Sequence, residues 1–366
     1  MKKTFLTVAL AALASLPAPA VRPLSAADSP LAPAGPAVRL GYFIGGRTSL
    51  FGRAFADGSF EREGVRVELT TRWLRGPLAI LPLSLEKVAA LEKDGRFGKM
   101  KGSEIIDLVS AGELDGGLVG EASFIKAAIA GKPVVAVALL GHDVKDAPGH
   151  GIVLRKGIVI KSPADFRGLK LISRRAGPAD ALFLREFLRQ EGVPERDVKI
   201  TDQVDDDRIE PMLKKREADG GYLHLMLISH LLESGEVYVY RPMNWVNPET
   251  SLALLVFRRD FLEAHRGLAV KVAEGYMKRI AYERAIPHDR REKTRRAGKT
   301  GLMELDSGGM SLPVYDYPPK VRTVLLDEMQ ELMKVHGLLK GTTDLSGFVD
   351  AGVVDEALRA LPGTGK

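Results

Sequence analysis

Short apolar segments that suit β-strands alternate with helical segments in the first half of the chain, and this alternation restricts the fold more than any other feature. Strands are expected over 38–43, 65–71, 114–119 and 134–140, with helices over 51–64, 102–111 and 123–130 between them. The last of these strands is apolar throughout, as in a strand buried on both faces. Such alternation predicts α/β architecture, in which a mostly parallel sheet is flanked by helices.

A second unit of the same kind follows the break at Asp146-Ala147-Pro148-Gly149. Ser162 and Pro163 suit the N-cap and the first position of a short helix. The remaining expected elements are strands over 151–155, 169–173, 198–201, 221–225 and 237–240, an apolar run over 251–257, and helices over 179–190, 260–284 and 321–336, with a final turn over 353–361. The sequence therefore predicts two α/β units.

The N-terminal segment has the pattern of a secretory signal peptide. Lys2 and Lys3 precede an apolar run over 5–16, and Ala18-Pro19-Ala20 and Ser25-Ala26-Ala27 offer small residues for cleavage. The run is shorter than the ~20 residues that cross a bilayer, although an N-terminal membrane anchor is the alternative. We expect cleavage near Ala20 or Ala27, a signal peptide over 1–27, a disordered leader over 28–37 and a periplasmic location.

Composition excludes several classes of function. The chain has no cysteine, which rules out thiol catalysis, cysteine-based zinc sites and iron–sulfur clusters. Its seven histidines do not form an HExxH pattern, and neither a P-loop nor a GxSxG motif is present. The formal charge of +6 is too small and too evenly spread to indicate nucleic-acid binding. We expect no metal, no cofactor and no catalysis, and we interpret Asp205-Asp206-Asp207 as a solvated loop.

Five short strings occur in an order that resembles the nitrate/sulfonate/taurine-type substrate-binding proteins of ABC transporters. They are FEREGVRVEL at 60–69, AGELDGG at 111–117, AGKPVVAV at 130–137, IKSPADFRGLK at 160–170, and GLLK at 337–340 followed by FVD at 348–350. Together they span most of the chain beyond the leader. They match scaffold segments more than ligand contacts.

This resemblance implies a two-lobed type II periplasmic binding protein fold, with the lobes joined by two crossing strands. The first lobe would comprise 38–148 and 250–361, and the second 149–249, with crossings near Gly149–Val153 and Ser251–Phe257. It also implies a monomer that closes its lobes on a small-molecule ligand and delivers it to an ABC permease in the inner membrane.

Ligands of open α/β sheets bind beyond the carboxyl ends of the strands, which selects the loops most suited to binding. In the first lobe these loops contain Tyr42, which could stack on a ligand or pack under the lobe, and Gly120, Glu121 and Ser123. Ser123 offers a hydroxyl. Glu121 either recognises a donor group of the ligand or complements the dipole of the helix that it begins.

In the second lobe, Arg174, Arg175 and Gly177 lie between a strand and a helix. Free N–H groups at a helix start bind anions, and arginine side chains match sulfonate, phosphate or carboxylate groups. The alternative is that one arginine pairs with Asp180 or Asp205 while the other is solvated. His224 and Trp245 are further candidates. Trp245 either forms a wall of the cleft or packs in the core or on the surface.

The prediction is therefore a small, anionic ligand: a sulfonate, nitrate, a carboxylate or a similar ion. Three alternatives remain. The ligand could be apolar or aromatic. The protein could be an extracytoplasmic sensor or adaptor of the same fold. It could also be an enzyme related to thiamine-pyrimidine synthesis, although that family carries a cysteine-rich motif that this chain lacks.

Overall fold

The computed structural model describes residues 37–43, 48–72, 78–80, 100–143, 149–174, 178–242, 250–286 and 314–361. The predicted signal peptide and all but the last residue of the predicted leader lie outside these ranges. Among the candidate ligand residues, Arg175, Gly177 and Trp245 also lie outside them.

The first sheet has six strands in the order β3-β2-β1-β4-β11-β5. Their bounds are β1 Val38–Gly41, β2 Val67–Arg72, β3 Leu78–Ile80, β4 Gly116–Val119, β5 Val134–Asp143 and β11 Thr250–Arg258. Strand β1 is parallel to β2 and β4, whereas β11 is antiparallel to both of its neighbours. Strand β5 therefore runs in the same direction as β4.

The second sheet has five strands in the order β10-β6-β9-β7-β8. Their bounds are β6 His150–Arg155, β7 Lys170–Arg174, β8 Lys199–Val204, β9 Gly220–His224 and β10 Val237–Pro242. Strand β7 is parallel to β8 and β9, and β6 is antiparallel to β9 and β10.

The two sheets repeat one topology. Without β3, the first follows β2-β1-β4-β11-β5, and the second, in corresponding order, follows β8-β7-β9-β6-β10. In each sheet the fourth strand is the antiparallel one, and it is the first strand that the chain forms after crossing from the other sheet. The fold is thus the two-lobed arrangement predicted above, with each lobe completed by a strand that follows a crossing.

Ten α-helices are described. They are α1 Ser49–Ala56, α2 Ser59–Arg62, α3 Gly102–Ser110, α4 Glu121–Ile129, α5 Pro178–Gln190, α6 Asp206–Lys214, α7 Leu225–Glu233, α8 Arg259–Ala285, α9 Thr323–Val335 and α10 Gly352–Ala360. Short 3-10 turns occur at Pro163–Phe166, Glu195–Asp197 and Ser346–Phe348. The single helix predicted over 51–64 is wrong: Gly58, with φ of +73°, separates α1 from α2.

Three apolar layers hold the sheets and helices together. One lies between the first sheet and helices α1, α2, α8 and α10, and another lies between the second sheet and helices α6 and α7. The third is continuous across both lobes and contains side chains of α4 and α9 as well as of α5. Strand residues alternate between layers, as Ile152 and Val153 of β6 do, because successive strand side chains point to opposite faces.

Candidate functional site

The carboxyl ends of the parallel strands form one edge of each sheet, and the two crossings join these edges. Strand β5 ends at Asp143 on the first edge, and after six intervening residues the antiparallel strand β6 begins at His150 on the second. Strand β10 ends at Pro242 on the second edge, and after seven intervening residues β11 begins at Thr250 on the first. The carboxyl edges of the two lobes therefore adjoin each other, and we call the space between them the cleft.

On the first-lobe edge, β4 leads through Gly120 into α4. Gly120 is extended, with φ of −75° and ψ of 152°, and it is the N-cap of the helix. Glu121 is 1% exposed and is the first helical residue, where its charge complements the positive end of the helix dipole. A Cβ atom on Gly102 would lie 2.9 Å from the Ser123 hydroxyl, so the start of α3 packs closely on this turn.

Tyr42 follows β1 at the same edge but lies in the core of the first lobe. It is 3% exposed, and its hydroxyl donates to the carbonyl oxygen of Thr48 at 3.4 Å. The Thr48 hydroxyl in turn donates to the carbonyl of Phe43 at 2.7 Å. This placement corresponds to the packing alternative for Tyr42, and stacking on a ligand would require its ring to be uncovered.

On the second-lobe edge, Arg174 ends β7 and is bound to carboxylates. Its Nε and Nη2 atoms donate to the two carboxylate oxygens of Asp206 at 2.8 and 3.0 Å, and its Nη1 lies 3.8 Å from Asp180. The arginine side chain is 5% exposed. The predicted partner was Asp180 or Asp205, and the bidentate partner is Asp206.

Asp206 also corrects the interpretation of the acidic run. It belongs to the first turn of α6 and not to a solvated loop, and it lies 3.8 Å from Nε2 of His224. The guanidinium of Arg174 therefore already faces two carboxylates, those of Asp206 and Asp180. An incoming anion would share Arg174 with Asp206 or displace it.

Sequence reasoning missed His150, which the strand register places directly opposite His224 at the edge. Its ring stacks on Tyr222, with ring centroids 5.7 Å apart and the planes 5° from parallel. Tyr222 also contacts Phe183 of α5 at 5.7 Å. Only the pairing of β6 with β9, which single-sequence patterns do not reveal, brings these side chains together.

A second ion network, next to Arg174, links strands β7 and β8 to helix α5. Ser173 donates its hydroxyl to Asp202 at 2.7 Å, and Arg185 of α5 donates to both oxygens of Asp202. Burial raises the pKa of Asp202, but the hydrogen bonds from Arg185 and Ser173 outweigh it and leave the pKa below the ordinary value. The network fixes α5 against the strand that carries Arg174.

His142 lies where the first crossing leaves the first sheet. Its Nε2 is 3.0 Å from Asp316 and its Nδ1 accepts from Arg322 at 2.7 Å. Arginine can only donate, so Nδ1 is unprotonated and the imidazole proton is on Nε2, facing Asp316. The hydrogen bond from His142 lowers the pKa of Asp316 against the effect of burial. This cluster therefore fixes Asp316 and Arg322 beside the end of β5, where the chain leaves the first sheet.

Within the described ranges, no group of three or more His, Asp or Glu side chains is placed to hold a metal ion. No helix in the same part of the chain is both long and apolar enough to cross a membrane.

Comparisons with known proteins identify the fold and a family. A family model described as NMT1/THI5 like matches residues 99–289. Comparison with curated protein sequences gives no match.

Three solved structures illustrate the fold. A ligand-binding component of an ABC-type import system from Staphylococcus aureus, solved with zinc bound, is 16% identical with a TM-score of 0.63, over 89% of this chain and 100% of that one. The periplasmic aliphatic sulphonate binding protein of Escherichia coli is 17% identical with a TM-score of 0.60, over 86% and 92%. The desulfurization enzyme DSZB is 12% identical with a TM-score of 0.57, over 88% and 99%. At these identities the likeness shows the fold alone.

Proposed function

The chain belongs to the NMT1/THI5-like family, and on that premise we propose that it is the periplasmic solute-binding component of an ABC importer. It would bind a small molecule in the cleft, close its lobes and deliver the ligand to a permease in the inner membrane. The lobe boundaries that we propose are 38–148 with 250–361, and 149–249. We propose that the protein acts as a monomer, without a cofactor and without catalysis.

One observation carries this proposal: two lobes of the same topology present their carboxyl edges to each other across two short crossings. Ligands of open α/β sheets bind at such edges. A ligand that contacts both lobes favours the closed arrangement by the difference in its affinity for the closed and open states. The fold neighbours include an ABC-import component and a sulphonate-binding protein, which supports the same function.

We propose a small anion as the ligand, held by the start of α5 and the adjacent arginines. The support is the position of Arg174, which ends β7 at the cleft immediately before the segment that leads into α5. Asp206 and Asp180 already surround this guanidinium, so the anion would depend on Arg175 and on backbone N–H groups as well as on Arg174.

The first test identifies the ligand. The exported protein would be purified under mild conditions and denatured, and any released small molecule identified by mass spectrometry and then added back in a thermal-shift assay. We expect a sulfonate, nitrate or a carboxylate that raises the Tm and is recovered chemically unchanged. Recovery of an apolar or aromatic compound would contradict the anion assignment, and conversion of the compound would contradict the absence of catalysis.

The second test concerns the arginines. Arg174→Ala and Arg175→Ala should each weaken binding of the identified anion about tenfold or more, because a charged hydrogen-bond partner is lost. Arg155→Ala is the matched control, since it removes an arginine of the same lobe that pairs with Asp219 at 3.0 Å, at the end of β6 remote from the cleft. Equal affinities in all three variants would exclude Arg174 and Arg175 from the site.

A further inference from the structure

The two lobes also meet through three helices, α4, α5 and α9. Helix α4 of the first lobe packs against α9 of the same lobe and against α5 of the second. Buried side chains of all three helices belong to one continuous apolar cluster; among them are Phe124, Met333 and Phe187. The packed arrangement of the lobes therefore buries apolar surface that separation would expose to water.

A polar contact crosses the same boundary. Glu186, on the third turn of α5, is 2% exposed, and its Oε2 lies 2.8 Å from Nε2 of His336 at the end of α9. The side chain of His336 is 11% exposed. A buried carboxylate is costly unless it is hydrogen-bonded, so each partner of Glu186 contributes to holding it inside.

The other partners of Glu186 come from its own helix. Arg189 donates from Nε and Nη2 at 2.7 and 2.6 Å, and Gln190 donates at 2.8 Å. If the second lobe moved away from the first, Glu186 would keep these two partners and lose only His336. The carboxylate would still be hydrogen-bonded after the lobes separate, so breaking the contact with His336 does not leave an unpaired charge and is reversible.

His336 is held in position by the way in which α9 ends. It is the C-cap of the helix, and Gly337 follows with φ of +70°, the left-handed conformation that suits glycine. The N–H of Leu338 then donates to the carbonyl of Met333 at 2.8 Å. The imidazole is thereby fixed at the negative end of the helix dipole, facing the other lobe.

From these contacts we propose that Glu186 and His336 form a latch that keeps the lobes packed against each other in the absence of ligand. Opening of the cleft would then have to break this hydrogen bond and separate the apolar surfaces beside it. The inference depends on the fold and not on the ligand proposed above, and its test needs no ligand.

The latch can be tested through the distance between the lobes. Because the chain has no cysteine, the pair Arg66→Cys and Lys199→Cys would introduce the only two thiols for spin labels. Both residues are exposed, and each lies at the amino end of a parallel strand, remote from the cleft. Pulsed electron paramagnetic resonance on the ligand-free protein would give the distribution of distances between the labels.

We expect one dominant short distance in the parent protein. His336→Ala should shift the distribution towards longer distances, with the ratio of open to packed molecules rising about tenfold or more, because a buried hydrogen bond to a charged group is lost. His336→Gln, which can still donate to Glu186, should restore much of the packed population.

The matched control is His230→Ala, which removes the same type of contact within one lobe. Nε2 of His230 lies 2.8 Å from Oε2 of Glu210, and both residues belong to the second lobe. This variant should leave the distribution unchanged. An identical distribution in His336→Ala and the parent, or an equal shift in the control, would overturn the latch.

Discussion

At the scale of single residues, Arg174 illustrates how neighbours change what a side chain can do. Taken alone, an arginine between a strand and a helix predicts an anion site. In the structure two carboxylates contact it, one from the next helix and one from 32 residues further along the chain. The guanidinium is therefore fixed in position and largely neutralised, which makes Arg174 a rigid, shared donor.

Glu186 supports a prediction about pH. Burial raises its pKa, but hydrogen bonds from Arg189, His336 and Gln190 outweigh burial and lower the pKa from 4.5 to about 2. A carboxylate with a depressed folded-state pKa stabilises the fold above its unfolded-state pKa, and this contribution is lost as the pH falls from about 4.5 to about 2. A shift of this size corresponds to on the order of 3 kcal/mol.

We therefore expect Glu186→Gln to unfold at lower urea concentration than the parent protein at pH 6, and the difference to shrink steadily by pH 3. Glu331→Gln is the control, because Glu331 is an exposed carboxylate that pairs with Lys334 at 3.4 Å. Exposed pairs of this kind contribute about 0–1 kcal/mol. A difference for Glu186→Gln that stays constant with pH would contradict the prediction.

Only the local part of the candidate site, the position of individual residues at the ends of strands, could be predicted from the sequence. Gly120 directly follows strand β4 and Arg174 is the last residue of β7, so their position at a strand end can be predicted from the local pattern. The contact of Arg174 with Asp206 and the stacking of His150 on Tyr222 depend on which strands are neighbours. Strand order depends on the pairing of segments that are distant in sequence, and local patterns in a single sequence do not predict it.

At the scale of elements, the long helix α8 carries a prediction about packing. A Cβ atom on Gly275 would lie 2.7 Å from Cδ1 of Phe60 and 3.1 Å from the carbonyl oxygen of Ser59, so α2 and α8 are in close contact there. Gly275→Ala should lower the free energy of unfolding by about 1–3 kcal/mol, because the added methyl overpacks the contact.

Gly267 provides the control within the same helix. A Cβ atom on it meets nothing within 4 Å, and Gly267→Ala should raise the free energy of unfolding through better helix propensity. The gain should be at most about 0.5–1 kcal/mol, because Gly267 lies in the first turn after His265, whose backbone is not helical. Urea unfolding of both variants would measure the two changes. Changes of the same sign would show that contact with α2 does not decide the effect at position 275.

Elements with strong periodicity were predicted well, and elements with mixed signals were not. The helix predicted over 260–284 is observed as Arg259–Ala285, although it is kinked at His265, where φ is −134° and ψ is 33°. The strand predicted over 134–140 is observed as Val134–Asp143. Helix α6 was missed because Pro211 lies inside it, and α7 was missed because its apolar run follows strand β9 without a break. Tertiary packing decides such segments, since local propensity is only a weak preference.

At the scale of the whole molecule, the apolar layer that crosses both lobes predicts that they unfold together. Phe187 lies in this layer and is 1% exposed. Phe187→Ala should cost about 3–5 kcal/mol, and because the core is shared, the first lobe should lose stability along with the second.

Single-cysteine variants at positions 66 and 199, each carrying a fluorescent label, would report on one lobe apiece during urea unfolding. We expect the two labels to give coincident midpoints in the parent protein and to move together in Phe187→Ala. Separate midpoints, or a shift only at position 199, would mean that the lobes unfold independently.

The position of β11 between β4 and β5 has a consequence for the order in which the molecule can be completed. Strands β4 and β5 are neighbours in sequence, yet β11, which separates them, begins only at Thr250. Because synthesis proceeds from the N-terminus, the first sheet lacks the strand between β4 and β5 until all five strands of the second sheet have been made. The first sheet, four of whose neighbouring strands are synthesised early, is therefore completed only after the second sheet, when residues up to Arg258 have been synthesised.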